Sequence, residues 1–458
     1  MVKNYQLKRV LGLKESVIIN LGAIIGAGIF VIIGIAAGKA GPAIIISILL
    51  SSVIAIFTGL SFSEIAQHIS KEGGVYEYAR ESFRPAAGFI GGTMWTFSNM
   101  IAISAVSLSL GSYINALLKI HISLILFGIP VIIMFSLLNI FGIKNSTKTL
   151  SILVIVNILI LVIFIVTGLF YFNINHFNNF YPHGFTGIME GSALIFFAFT
   201  GFSRITTIGD EVKDPEKTIP KAIIISIIIS AFLYVIIAVV AIGLIPYTTL
   251  ANSSAPLSTA IKILHNSYLD IIIAVGGITA TAGVILTGIL GTSRVLYAMG
   301  RDHEIPEKFG YIDKYSTPVY SIILSATISI IFVYFVGFST IIEASNVSVL
   351  IAYSIINISA ILLWTKLKNE NPRHLRETKY FFIIPLAGIT TILITISYLG
   401  LPAIGISLTV LLIISLIYYI KYLFETKGYI KKFSKVIPEI SAVREIGKSR
   451  NKIKNDKK

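Results

Sequence analysis

The sequence predicts an all-α membrane protein of twelve transmembrane helices, built as two inverted five-helix units plus an added pair. Helices one and six are expected to be discontinuous. Composition is the first ground: of 458 residues, 55% are hydrophobic and only 13% charged, and mean hydropathy is +0.86. The second is length, because apolar runs of about 20 residues, enough to cross a bilayer's hydrocarbon core, recur along the chain. The third is that two of these runs are interrupted by glycine at corresponding places.

Taken in order, the apolar stretches cover residues 14–38, 41–66, 86–118, 122–142, 149–172 and 188–209. They continue over 220–245, 268–300, 318–336, 339–364, 380–399 and 402–423. The first follows basic residues, but it lacks a small-residue cleavage site and is too long for a signal peptide, so it is read as a retained helix. Between the stretches, residues 70–85 are expected to form a short amphipathic helix. The charged segment 209–221 is expected to connect two spans, with Asp214-Pro215 ending what precedes it and Pro220 starting helix seven.

A net charge of +15 could point to nucleic acid, and its distribution decides otherwise. With the amino terminus inside, all of the 37 Lys and Arg residues except Lys39, Lys119, Arg204 and Lys262 fall in inner loops or ends. Basic residues accumulate on the cytoplasmic side, so both termini are expected there, in a multi-pass protein of the cell membrane. The partners implied are membrane lipids and a small molecule, and no nucleic acid. Cysteine is absent, which removes disulfides, cysteine metal sites and thiol chemistry.

The expected organisation runs from a cytoplasmic N-terminus (1–13) through a first five-helix repeat (14–172) and a second (188–364). Two additional helices (380–423) and a basic cytoplasmic tail (424–458) follow. Five is odd, so the second unit enters the membrane from the opposite face. Interrupted helices at matching positions of inverted repeats mark the substrate site of secondary transporters.

The first interruption is Gly22-Ala23-Ile24-Ile25-Gly26-Ala27-Gly28-Ile29-Phe30, and the second is Phe197-Ala198-Phe199-Thr200-Gly201-Phe202-Ser203. Backbone freed from helical pairing is tolerated at membrane depth only where it is buried in protein or lines a polar cavity. The short helix that begins near Ile29 would offer free N–H groups and a positive dipole end, which suit a carboxylate. Carbonyls near Ile24 and Ile25, and near Phe197 and Thr200, would suit an ammonium. An α-amino acid carries that pair of charges. The competing reading is close helix packing, since Gly22-xxx-Gly26 and Gly34-xxx-Gly38 both fit the small-xxx-small pattern.

Gly26-Ala27-Gly28-Ile29-Phe30 resembles the G-[SAT]-G-[IV]-F stretch of the amino acid–polyamine–organocation superfamily. Gly73-Gly74-Val75-Tyr76-Glu77-Tyr78 is similar to its P-x-x-G-G-x-Y-x-Y loop, without the proline. Phe196 through Pro220 follows its F-F-A-[FY]-x-G-F…E-E-V-K-[ND]-P…[IL]-P run, and Arg294 through Asp302 with Ile305-Pro306 resembles its R-x-L-Y-A-M-[AG]-R-D end of helix eight. The resemblance implies a LeuT-type fold and an amino acid permease. It implies that the Ala27 and Gly28 amides hold the substrate carboxylate and that carbonyls of Ile24, Phe197 and Thr200 hold the amine. Gly26 and Gly201 complete the breaks, and Phe197 or Phe202 is the aromatic gate; either phenylalanine also reads as ordinary core.

Two departures bear on coupling. Some proton-coupled relatives carry a lysine in helix five, where Asn157 stands here, and an amide does not titrate. Asn157 also reads as an interhelical hydrogen bond. Arg204 stands where many relatives have a small residue, and an intramembrane arginine faces a cavity, pairs structurally or snorkels. Glu64, Glu190, Asp270 and Glu343 lie near helix ends, as solvated termini or as proton carriers. Thr281, Thr287, Thr292 and Ser293 could join a sodium site or pack as polar groups. Symport with a proton or sodium ion, amino acid exchange, and polyamine or organocation carriage all stay open, as does oligomeric state. No enzyme motif, resident cofactor, metal-ligand cluster or channel filter is present in the sequence.

Overall fold

The first apolar stretch folds as two helices. α1 (Leu13–Ile24) stops where Ile25 leaves helical geometry, at φ −76° and ψ 85°. A π turn follows over Gly28–Ile32, then α2 (Ile33–Ala40). The computed structural model describes residues 9–26, 28–335, 338–370 and 382–424. Ala27, expected to bind carboxylate, lies outside the described residues, as does the basic tail from 425 onward.

Gly41 then turns the chain with φ 64°, a conformation that costs a glycine little, and a 3-10 turn through Pro42 opens α3 (Ile44–His68). The short α4 (Val75–Ser82), α5 (Pro85–Leu118), α6 (Ile125–Ile140) and α7 (Ile143–Phe170) follow. α8 (Gly184–Phe199) runs into a 3-10 stretch, Thr200–Glu211. After α9 (Pro215–Leu244) come two short helices, α10 (Tyr247–Ala251) and α11 (Pro256–Ile261), and then the long α12 (Ser267–Arg301). The chain closes with α13 (Val319–Phe335), α14 (Phe338–Glu370), α15 (Ile383–Ser397) and α16 (Leu401–Phe424).

Among the described residues, the β structure is an isolated bridge between Leu11 and Val212. Eight helical runs among the described residues are long and apolar enough to cross a membrane, and shorter apolar helices accompany them at Ile125–Ile140, Val319–Tyr334 and Ile383–Ser397. One of the eight, Leu13–His68, contains the first two apolar stretches. Through Leu408 the chain forms one compact unit; from Thr409 it forms another, described as the end of α16.

One boundary differs from expectation. α9 begins at Pro215, whose missing N–H costs nothing at a first helical position, and Pro220 sits inside the helix. Asp214 takes the left-handed conformation (φ 44°) just before that start. The Asp-Pro pair therefore starts the helix as well as ending the preceding segment.

The helices are joined by hydroxyls donated to neighbouring backbone. Ser47 Oγ donates to the Ile188 carbonyl at 2.7 Å and Ser51 Oγ to that of Ser192 at 2.8 Å, tying α3 to α8. Ser98 and Ser345 donate to each other's carbonyls at 2.8 and 3.0 Å, tying α5 to α14. In lipid such bonds and close packing replace the hydrophobic drive, at about 0.6 kcal/mol each on average. The outside of the bundle is apolar. On α7, Ile152, Ile155, Leu159, Val162, Val166 and Leu169 form an exposed stripe at spacings of three and four. Long exposed apolar patches of this kind belong against lipid or a partner.

Candidate functional site at the two helix interruptions

The carbonyls released at the first interruption are taken up by side chains from three other helices. Tyr234 of α9 donates its hydroxyl to the Ile24 carbonyl at 2.5 Å. Asn157 of α7 donates Nδ2 to the Ile25 carbonyl at 3.2 Å, while its Oδ1 is buried without a hydrogen-bond partner. Tyr113 of α5 donates to the Phe30 carbonyl at 2.5 Å. Asn20 joins α1 to the second interruption, accepting the Ile205 N–H at 3.0 Å and donating to Ser226 at 3.3 Å.

The second interruption narrows instead of unwinding. Past Phe199 the backbone tightens to 3-10 geometry and leaves helical angles at Ile208 (φ −122°, ψ 30°). Its hydroxyls give the reason. Thr200, Thr206 and Thr207 each donate to the carbonyl three residues earlier, Phe197, Ser203 and Arg204, at 2.8, 2.7 and 2.7 Å. Such bonds compete with the α ladder and favour the tighter turn. The Phe197 carbonyl is thus paired locally. That of Thr200 accepts the Tyr353 hydroxyl at 2.7 Å, and Tyr353 also meets Ser203 Oγ at 2.8 Å.

The two interruptions touch through their glycines. A Cβ on Gly28 would strike the Cα of Ala198 at 2.5 Å. One on Gly201 would lie 2.6 Å from the Ala23 carbonyl oxygen and 2.7 Å from the Ile24 nitrogen. Gly26 faces α12, where a Cβ would meet Val284 and, at 3.1 Å, the Ala280 carbonyl. Close packing and non-helical backbone therefore coexist at the two interruptions. Phe202 is fully buried in an aromatic cluster, 5.7 Å from Phe62 and 5.2 Å from Tyr353 between ring centroids. Phe197 keeps slight exposure at 7%.

The other candidates bond to groups outside the contact between the two interruptions. Thr281 and Thr287 are buried and donate within α12, to the Gly277 and Gly283 carbonyls at 2.7 and 2.8 Å. Arg204 is buried, donates Nη2 to Asn99 Oδ1 at 2.5 Å and lies 5.0 Å over the Trp95 ring. Its Nε and Nη1 lack hydrogen-bond partners. At the opposite end from α4, Glu343 accepts the Gly400 N–H at 2.9 Å and Glu190 pairs with Lys39 at 3.0 Å. Glu64 lies 3.9 Å from His68.

Sequence reasoning missed Tyr113, Tyr234, Tyr353 and Asn20. Their signal was a hydrogen-bonding group in the middle of an apolar stretch, where an unpaired polar atom is costly. It also missed an ionic cluster that joins α4, the end of the 3-10 stretch and the end of α12. There Arg294 donates Nε to Glu211 at 3.0 Å with both side chains buried. Arg301 reaches Glu77 at 3.1 Å and Asp302 at 3.0 Å, and Arg80 reaches Asp302 at 3.1 Å. Burial raises the Glu77 carboxyl above its usual range, with Arg301 opposing. Burial also works on Asp302, but the hydrogen bond and charge of Arg301, with Arg80, hold its carboxyl below that range.

Comparison with known proteins places these elements in a wider group. A family profile described as amino acid permease matches residues 15–437. The chain is 30% identical over 380 residues to a branched-chain amino acid permease of Bacillus subtilis, covering 79% of this chain and 82% of that one. It is 29% identical over 410 residues to a methylthioribose transporter of the same organism, covering 85% and 87%. Over 390 residues it is 28% identical to the vacuolar cationic amino acid transporter 4 of Arabidopsis thaliana, covering 79% and 65%.

Proposed function

Because the chain belongs to the amino acid permease family, we propose that it moves amino acids across the cell membrane by alternating access. The observation that carries this reading is the direct contact between the two interruptions, where Gly28 meets Ala198 and Gly201 meets Ala23. Two polar stretches of backbone thus converge inside an apolar bundle, which is how broken-helix carriers build a midplane site. In this reading the Ala27 and Gly28 amides receive the carboxylate. The amine lies against the carbonyls of Ile24, Phe197 and Thr200. Ile24 and Thr200 each accept a tyrosine hydroxyl, and a carbonyl has a second lone pair for the ammonium. Phe197 is the gate that shuts over the substrate. The tightly enclosed Phe202 is its backing.

The pairing of helices supports two inverted repeats, 14–172 and 188–364. α3 packs on α8 as α9 packs on α1, α5 on α14 as α12 on α7, and α5 on α6 as α12 on α13. With twelve spans, both termini and α4 lie in the cytoplasm, as the basic residues favour. α15 and α16 then form the added pair, and no catalytic role is assigned.

Coupling follows from Asn157, whose amide holds the Ile25 carbonyl and carries no exchangeable charge. Exchange of one amino acid for another needs no titrating group there. Liposomes loaded with unlabelled amino acid should take up labelled amino acid faster than empty ones. Uptake driven into empty vesicles by an inward proton gradient, and abolished by a protonophore, would replace exchange with symport.

A further inference from the structure

Glu72 is a carboxylate held by a long ion pair alone, 3.9 Å from Arg301. It is fully buried, and neither oxygen has a hydrogen-bond partner. Its loop is wedged between α12 and the 3-10 stretch. At Gly73 (φ 114°) a Cβ would meet that of Ala298 on α12 at 2.9 Å. At Gly74 (φ 52°) it would meet Thr206 Oγ1 at 2.9 Å and Thr207 at 3.0 Å on the 3-10 stretch. The Gly73 N–H donates to the Thr207 carbonyl at 3.3 Å.

The charged groups around it already face other carboxylates, although Arg294 Nη2 and Arg80 Nε are buried without hydrogen-bond partners. On its own segment, Lys71 serves Glu77 at 3.5 Å and Glu81 at 3.7 Å, and Arg80 serves Glu81 and Asp302. On α12, Arg294 is held by Glu211, and Arg301 donates to Glu77 and Asp302 while lying 3.9 Å from Glu72 Oε1. The 3-10 stretch adds Asp210 and Glu211 as repelling charges, and Tyr297 is the remaining titratable group that feels Glu72. Carboxylates at 72, 77, 81, 210, 211 and 302 outnumber the cations at 71, 80, 294 and 301. Burial first, then Asp210 and Glu211, push the Glu72 carboxyl well above its usual range, against the opposing pull of Arg294 and Arg301.

On the reading that this is an alternating-access carrier, we infer that Glu72 is a proton-binding site. It takes up a cytoplasmic proton when the α4 end closes and returns it to the cytoplasm when that end opens. The proton passes from water to a carboxylate oxygen and back on the same side, so none crosses the membrane. The device sets how often the substrate site faces inward. Glu72 is fully buried here, so the raised value belongs to the state in which the α4 end is closed around it, and closure is favoured in full below the ordinary carboxylate range. That advantage is lost as pH rises through the raised value. An acidic cytoplasm holds the gate shut, and an alkaline one releases it.

The chain lacks cysteine, so two spin labels can be placed without background. Arg84→Cys beyond α4 and Lys308→Cys beyond α12 are both exposed, and electron–electron distances between them would be read across pH 5 to 8 in the full-length protein in lipid. A separated population should grow with pH by up to about tenfold per unit within the titrating window. Glu72→Gln should hold the near population at every pH, and Glu72→Asp should retain a titration. A Glu72→Gln protein that titrates like its parent overturns the proposal, as does a parent whose distances ignore pH. If Glu72→Gln does not fold, the parent and Glu72→Asp decide by the same criterion. Labelled amino acid uptake by the parent in liposomes separates the two readings: without it the carrier reading fails, and with it only the proton site is at stake.

Discussion

Tyr234, Asn157 and Tyr353 hold the backbone of the two interruptions in place by giving hydrogens to its loose carbonyls. Tyr234→Phe removes the donor from a fully buried carbonyl and should cost about 1–3 kcal/mol. The drop should appear as a lower melting temperature of the purified protein. Tyr171→Phe, at an exposed hydroxyl, should melt like the parent. Equal melting of the two variants would mean the Ile24 carbonyl needs no partner. At this scale the sequence was partly readable. Asn157 was visible as an amide in an apolar run, and its bond to Ile25 is one of the two roles open to it. The tyrosines were not singled out, because they are ordinary in membrane helices and only the fold brings their hydroxyls to a break more than seventy residues away.

The interrupted elements depend on glycine for contact as well as for freedom. Gly201→Ala would press a methyl into the Ala23 carbonyl and the Ile24 amide, which is backbone and cannot swing aside. Overpacking of that kind costs about 1–3 kcal/mol, and the helices would part just where substrate is expected. Gly28→Leu should likewise abolish binding, through the Ala198 contact and by filling the proposed carboxylate niche. Gly405→Ala, with nothing within 4 Å of the new methyl, should bind like the parent. Titration calorimetry on the three variants checks this, and unchanged affinity in Gly201→Ala or Gly28→Leu would remove that interruption from the site. The first break was legible from its glycine spacing. The second was legible as a break in the helix, but not in its 3-10 form, because the i−3 bonding of the hydroxyls at 200, 206 and 207 appears only in the fold.

Across the whole molecule, each of the twelve apolar stretches is at least largely helical, since runs of that length impose themselves without tertiary help. The ionic cluster around Arg301 was not legible, because it joins residues more than two hundred positions apart. Orientation is testable with single cysteines. Asn178→Cys should react with an impermeant thiol reagent on intact cells, and Asn145→Cys should react only after permeabilisation. Both positions are exposed, whereas the neighbouring Ser146 is buried against Asn139; the reverse pattern would invert the topology. The most direct measurement concerns ligand chemistry. Thermal shift of the purified protein would be recorded with each amino acid, its decarboxylated amine and its deaminated acid. The proposed site, with backbone amides for the carboxylate and carbonyls for the amine, requires both charges, so at least one amino acid should raise the melting temperature while its two derivatives do not. An amine that stabilises the protein as well as its parent amino acid, or a panel with no stabilising amino acid, would contradict an amino acid site between the two interruptions.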